Sequence, residues 1–477
     1  MSSDTASTPL RRSFKSRADL TAYLDTQFPL VAARGDAVGA FKGGRRAAER
    51  AMKPIDPVQY GRTRSSLDGA VTHLSPYIRH GVVTLAEVRD AVLRRSDPRK
   101  AYKLLSELSW RDYYQRVYAA LGDGVWADFE PYKTGRDAGE YAQRIPDDLR
   151  TARTGAVCID SFANDLEQSG YLHNHVRMWL SAYVVHWRRV SWQVGAGWFL
   201  EHLLDGDPAS NALGWQWVAS TWRRYPYIWN RGNLVKYAGM RYCDHCPLYE
   251  SGCPFAGTYA VLSQQLFPKK AESERAESKP KPSALEAALA SVPDLTLPEP
   301  AKVSSNTVLV WMHGDALSPL APALRAYPDA PAAYIWDDAL LGTYQLSLKR
   351  LQFLYECLLE LPVTIHRGDP ASELTRLARD QKRTVIATTH SVAPKFKAIC
   401  SALEASGFTV QVFAQPPFAE RAEGFDLRSH ASYYRAARKG MEQLGGAEPT
   451  PVRPRAAKPR AAKTRPKAST SSRPLKQ

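Results

Sequence analysis

EHLLDGDPASNALGWQW, residues Glu201–Trp217, is the stretch from which the rest of the chain is best read. It carries two aspartates two residues apart, Asp205 and Asp207, then Asn211, then a Trp-x-Trp pair, Trp215 and Trp217. Another tryptophan, Trp192, stands thirteen residues before Asp205. Indole rings beside a carboxylate pair suit a site that holds a planar, redox-active cofactor and moves single electrons through aromatic rings. The alternative is a buried aromatic core with two loop carboxylates that cap a helix.

Composition bounds the surroundings of that stretch. The chain has 477 residues, enough for two or three domains, and at 44% hydrophobic and 10% aromatic it can bury a core. No run of eighteen apolar residues occurs, so no transmembrane helix is expected, and the N-terminus has no apolar segment of the secretory type. A formal charge of +16 favours a polyanionic partner, most simply nucleic acid. Nine Lys or Arg and no acid fall within Pro451–Gln477, leaving about +7 for the rest. Such an arm would bind phosphates without sequence preference. Six cysteines in a chain of this length do not make a disulfide scaffold; cytosolic thiols or metal ligands fit better.

Along the chain the periodicity changes twice. Helical stripes recur up to residue 267, as in Ala101–Leu121 and Leu172–Trp187. A charged, Pro-rich stretch over 268–303 reads as a linker with one short helix. From Thr307, apolar runs at Val308–Met312, Ala332–Trp336, Val363–His366, Thr384–Thr388 and Thr409–Phe413 alternate with helical segments at Gln345–Leu361, Ala371–Gln381 and Ala393–Ser406. That alternation predicts a parallel sheet with helices on both faces. A last helix over Ser429–Leu444 precedes a basic, disordered tail. The expected domains are therefore 1–267, helical; 268–303, linker; 304–446, α/β; and 447–477, tail.

Two helical stripes carry polar groups on one face: Glu107, Trp110, Arg111 and Tyr114, and Asn174, Arg177, Met178 and Ser181. Either alone could be a solvated surface stripe. Together with Asp205 and Asp207 they predict convergence on a pocket. Cys243-x2-Cys246-x6-Cys253, with Cys158 85 residues before Cys243, has metal-ligand spacing. Four thiolates suit a [4Fe-4S] cluster; zinc on four thiolates, or on three plus His245, and unliganded thiols are the alternatives. Cys357 and Cys400 read as core thiols.

The segments LSPYIRHGVVTLAEV, LLSELSWRDYY, GYLHNHVRM and LLDGDPASNALGWQW, in this order, resemble the FAD domain of the cryptochrome and DNA photolyase family. The resemblance runs from Gly43 to Trp217, with a weaker extension to Phe267. It implies an all-α FAD-binding photolyase domain followed by a smaller α/β parallel-sheet domain, antenna-like and Rossmann-type. In the family the α/β domain comes first, so this chain looks circularly permuted. The resemblance places Tyr60, Thr72, His73, Leu74 and Ser75 at the FAD phosphates, although Val71, Thr72 and His73 stand where the family has Thr-Ser-Arg. It places Asp205, Asp207 and Asn211 around the flavin ring, Arg111 in the same pocket, and Arg177 as the partner of Asp205.

The positions that contact a cyclobutane pyrimidine dimer in the family match Glu107, Trp110, Asn174, Met178 and Trp217. Enzymes of the (6-4) class carry histidines where this chain has Asn174 and Met178. Trp215 and Trp192 match the first two members of the family's tryptophan relay, with Trp187 and Tyr141 as candidates for the distal one. Cys158, Cys243, Cys246 and Cys253 resemble the ligand set of the family's iron–sulfur branch. An antenna chromophore is allowed by the α/β resemblance, but no residue names it. The implied function is FAD-dependent, blue-light-driven repair of cyclobutane dimers, a lyase acting on UV-damaged duplex or single-stranded DNA. A cryptochrome-like blue-light receptor is the alternative, and a DNA-binding module without photochemistry a third. A cytoplasmic, nucleoid-associated monomer is expected.

Overall fold

The computed structural model describes residues 8–32, 38–268, 284–292, 297–343, 345–419, 421 and 423–444. The basic tail and most of the 268–303 linker lie outside them. The linker's described part does contain one short helix, Ala284–Leu289.

The helical part is organised around Pro98–Leu121. Asp97 caps its start by accepting from the Arg99 amide, Pro98 takes the first position, and Gly122 at φ +54 ends it. Its inward face presents Ala101, Leu104, Leu105, Leu108, Tyr113 and Val117, a three-and-four spacing. The expected helix from Leu172 is shorter than its periodicity suggests. Asn174–Ala182 is α-helical, and Tyr183–Trp187 widens into a π-turn. Such wide turns are rare and are not legible in apolar spacing. Trp192–His202 and Pro208–Ala219 follow, separated by the loop that carries Asp205 and Asp207.

The second part is a five-stranded parallel sheet: β1 Val308–Met312, β2 Ala332–Trp336, β3 Thr364–Arg367, β4 Val385–Thr389 and β5 Thr409–Phe413, in the order β3-β2-β1-β4-β5. Val310 pairs with Ala332 and Val308 with Val385, so β1 is central. β1, β2 and β4 are buried along their whole length, which explains their unbroken apolar runs. Leu309, Trp311, Ala333 and Ile335 pack under helices Pro370–Asp380 and Pro394–Ala405. Val308, Val310, Met312 and Trp336 face the other way, into a core shared with helix Leu348–Leu359 and the helical part. The order reverses beside β1, where the carboxyl ends of β1 and β4 open a crevice.

The chain ends cross between these parts. The Leu10 amide donates to the Ile365 carbonyl at 2.7 Å, and the Tyr355 hydroxyl to the Arg11 carbonyl at 2.6 Å, so the N-terminal segment lies on the sheet part. Helix His430–Met441 packs on Pro98–Leu121: the Tyr113 hydroxyl donates to the Leu427 carbonyl at 2.9 Å, and Tyr433 bonds Asp112. The described residues accordingly form one unit. Among the described residues no helix is long and apolar enough to cross a membrane.

Candidate flavin site

Asp207 owes its place to local chemistry. It is the N-cap of Pro208–Ala219, accepting from the Ser210 amide at 3.1 Å and the Ser210 hydroxyl at 2.7 Å. A carboxylate at a helix start is favoured by the exposed amides there. The Gln115 amide donates to it at 2.7 Å, and Arg111 and Arg79 approach to 3.5 and 3.8 Å. Burial pushes its pKa up, but Arg111, Arg79 and Ser210 outweigh that and hold it below the usual carboxylate value. Asp205, two residues earlier, accepts from Arg177 Nη2 at 2.8 Å. Arg177 is itself held by donating Nε to the Leu172 carbonyl at 2.9 Å. Burial raises the Asp205 pKa, and Arg177, Ser75 and Arg111 more than reverse it. Both aspartates are therefore buried and ionised.

Asn211 donates its side-chain amide to the Ala196 carbonyl at 2.8 Å. Trp215 lies against Gly195, where a Cβ would stand 2.3 Å from the ring, so only glycine allows this packing. Trp192 donates Nε1 to Asp128 at 2.6 Å and stacks on Trp126, with ring centroids 6.2 Å apart and planes at 8°. Trp187 packs instead with Trp229 and Phe255, and Tyr141 stacks on Tyr132. Among the described residues neither makes a ring contact with Trp192. Trp126, 66 residues away in sequence, carried no spacing signal to mark it.

The stripe of Pro98–Leu121 divides. Arg111 turns to Asp207, as convergence requires. Glu107 is engaged by Arg64 at 2.7 Å and Lys103 at 2.9 Å. Tyr60 lies beside this pair, its hydroxyl pKa raised by burial and by Glu107. Trp110 stacks face to face on His430, at 3.7 Å and 9°. His430 lies more than 300 residues from Trp110, so no local spacing links the two. Asn174 is exposed, its amide nitrogen 3.7 Å from the Met178 sulfur. Arg223 lies 4.0 Å over the Trp217 ring. At the other edge Thr72 Oγ1 accepts from the Leu74 amide at 3.4 Å, and Leu74 is buried. His73 takes φ +52 and packs on Tyr171 at 5.0 Å, and Ser75 opens helix Ser75–Arg79.

One feature tests whether a flavin fits. Asp205 Oδ1 is buried without a hydrogen-bond partner, although Oδ2 is paired. A buried ionised acceptor left unmatched in the protein suits a ligand that carries an N–H.

Residues 104–236 match the FAD binding domain of DNA photolyase. Over this stretch the chain is similar to the FAD-binding domain of DNA photolyase. It is 30% identical over 190 residues to a deoxyribodipyrimidine photo-lyase of Streptomyces griseus, covering 38% of this chain and 40% of that protein. It is also 30% identical over 190 residues to a chloroplastic/mitochondrial cryptochrome DASH of Oryza sativa subsp. japonica, covering 38% of this chain and 32% of that protein. The chain thus spans two fifths or less of the length of these curated relatives. Among solved structures, a bacterial class III photolyase from Agrobacterium tumefaciens is similar at 20% identity and a TM-score of 0.38, over 49% of this chain and 56% of that one.

Cys158, inside the matched stretch, and Cys243, Cys246 and Cys253, beyond it, all line one small cavity, with Arg231, Tyr242 and Phe255. Cys158 lies in the first turn of helix Val157–Ser169, and residues 243–253 form a run of turns. Burial pushes the Cys158 and Cys243 thiols up. The four share a cavity but are not drawn to ligand distance: among the described residues no three His, Cys, Asp or Glu are gathered closely enough to hold a metal. Cys357 is a buried core thiol, while Cys400 is only partly buried. A separate cavity of about 350 Å³ lies at the carboxyl ends of β1, β2 and β4, between Trp336, Asp337, Lys395 and Asp315, and reaches Arg79 and Asp207.

Proposed function

We propose that this chain is a light-driven DNA repair enzyme of the photolyase type that acts on cyclobutane pyrimidine dimers. The observation that carries this reading is the buried Asp205–Arg177 pair with its unmatched carboxylate oxygen, set in a domain that matches a photolyase FAD-binding domain. FAD, when bound, supplies the light absorption and the transferred electron. The protein's part is to hold and orient. Asp205, Asp207, Asn211, Arg111 and Arg177 bind the ring side, and Thr72, His73, Leu74, Ser75 and Tyr60 the phosphate side. Trp110 and Trp217 wall the lesion, and Asn174, Met178 and Glu107 complete its contacts. Flipping the damaged base is least costly where pairing is already broken. The test is repair of a dimer-containing oligonucleotide under blue light with reduced FAD. In this reading the chain is a circular permutation of the family, with the helical part first, and its basic tail adds non-specific affinity for DNA.

Trp215, Trp192 and Trp126 form the aromatic route by which oxidised flavin is photoreduced in this proposal. Trp126→Phe should slow photoreduction of bound FAD well below the wild-type rate; equal rates would remove Trp126 from the route. Cys158, Cys243, Cys246 and Cys253 are proposed to hold a [4Fe-4S] cluster, supported by their common cavity. Analysis should find about four irons and four sulfides per chain, and zinc in their place would overturn the assignment.

A blue-light receptor that needs no lesion is the second reading. It is favoured by the His430 stack on Trp110 and by Arg223 over Trp217, which engage both proposed lesion walls with the chain's own side chains.

A further inference from the structure

We propose that Asp315, just beyond the carboxyl end of β1, is a positioning residue for the Asp205/Asp207 pair and sets, through Arg79, the charge that a bound flavin meets. The inference rests on reading that pair as the flavin site.

Asp315 accepts from Arg79 Nη1 through Oδ1 and from the Ser391 hydroxyl through Oδ2. The same Arg79 donates Nε to the Gly206 carbonyl at 2.9 Å, and that nitrogen lies 3.8 Å from Asp207. One guanidinium therefore joins a carboxylate of the sheet part to the residue between the two site aspartates. The contact is locked from several sides. The His80 ring nitrogens lie 2.9 Å from the Gly314 carbonyl and 3.0 Å from the Leu204 carbonyl. Arg350 of helix Leu348–Leu359 also donates to the Gly206 carbonyl, and to that of Leu200 at 2.9 Å. A Cβ at Gly206 would stand 2.6 Å from Arg350 Nη1. At Gly81, φ +59, a Cβ would stand 2.1 Å from the Asp315 carbonyl oxygen. The sheet part thus grips the loop that holds the two site carboxylates.

Asp205, Asp207 and Asp315 are matched one for one by Arg177, Arg111 and Arg79, and Arg350 on the Gly206 carbonyl adds a fourth cation. Burial raises the Asp315 pKa, but Arg79, His313 and Ser391 hold it well below the usual carboxylate range, so it is ionised at neutral pH. Asn at this position keeps an acceptor for Arg79, puts an amide N–H where the Ser391 hydroxyl donated, and removes the charge. The surroundings of Asp207 are then richer by one positive charge, which favours the reduced, anionic form of a flavin bound there. Removing Arg79 instead has the opposite sign.

The experiment uses the full chain loaded with FAD, as wild type, Asp315→Asn and Arg79→Gln, with the ratio of reduced to oxidised flavin read by absorbance at one fixed ambient potential. D315N should raise the ratio by about three- to tenfold, and R79Q should lower it by a similar factor. General loosening of the loop would not give opposite signs. A ratio unchanged in D315N with FAD still bound overturns the proposal. If D315N does not fold, R79Q alone decides, and an unchanged or raised ratio overturns it. A wild-type chain that takes up no FAD removes the flavin reading itself, and this inference with it.

Discussion

Trp110→Ala is expected to weaken binding to dimer-containing DNA by about 5- to 150-fold, because a base stacked on an aromatic ring gains about 1–3 kcal/mol and 1.4 kcal/mol is about tenfold. Binding to undamaged DNA should be nearly unchanged, since that affinity comes from phosphate contacts. His430 covers one face of Trp110. A lesion base therefore has the other face, or must displace the imidazole. Titration of the variant against damaged and undamaged oligonucleotides by anisotropy checks this, and equal losses on both would sink the lesion-wall role. If Asn174 and Met178 contact the lesion as the resemblance implies, the wild type should repair cyclobutane dimers and leave (6-4) photoproducts. Glu107 is ion-paired to Arg64 and Lys103, so Glu107→Ala should lower repair per photon more than it lowers binding. If wild type with reduced FAD and blue light leaves dimers untouched, the receptor reading takes its place.

Arg177→Met should have the largest effect on the protein itself. Asp205 is buried and Arg177 is its charged hydrogen-bond partner. Removing one member of such a pair leaves an uncompensated buried charge, at a cost of about 3–5 kcal/mol. The variant should melt well below wild type and take up little FAD. The pH dependence gives a signature. In wild type the folded Asp205 pKa is depressed, so its contribution is present above the unfolded carboxylate pKa and is lost as pH falls through the folded value. Without Arg177, burial, the largest single influence on this group, is opposed only by Ser75 and Arg111, and the folded pKa is expected to rise above the unfolded one. The variant should then gain stability relative to wild type as pH is lowered from neutral towards 5. Parallel melting curves for the two proteins across that range would contradict the assignment.

The sequence by itself determined the elements and much of the pairing. Unbroken apolar runs marked β1 and β2 at their observed bounds, because strands buried on both faces leave no polar alternation to blur their ends. Arg177 as the partner of Asp205 followed from the resemblance, whereas the Arg111 stripe predicted only a shared pocket and not its contact with Asp207. Only the tertiary structure decided what reaches the site from far along the chain. His430 on Trp110, Trp126 on Trp192, and Asp315 on Arg79 join residues 66 to more than 300 positions apart. The π-turn at Tyr183–Trp187 was equally silent. The reason is physical: periodicity reports which face of an element is buried, whereas these contacts depend on how elements pack, and nothing local in the sequence encodes that.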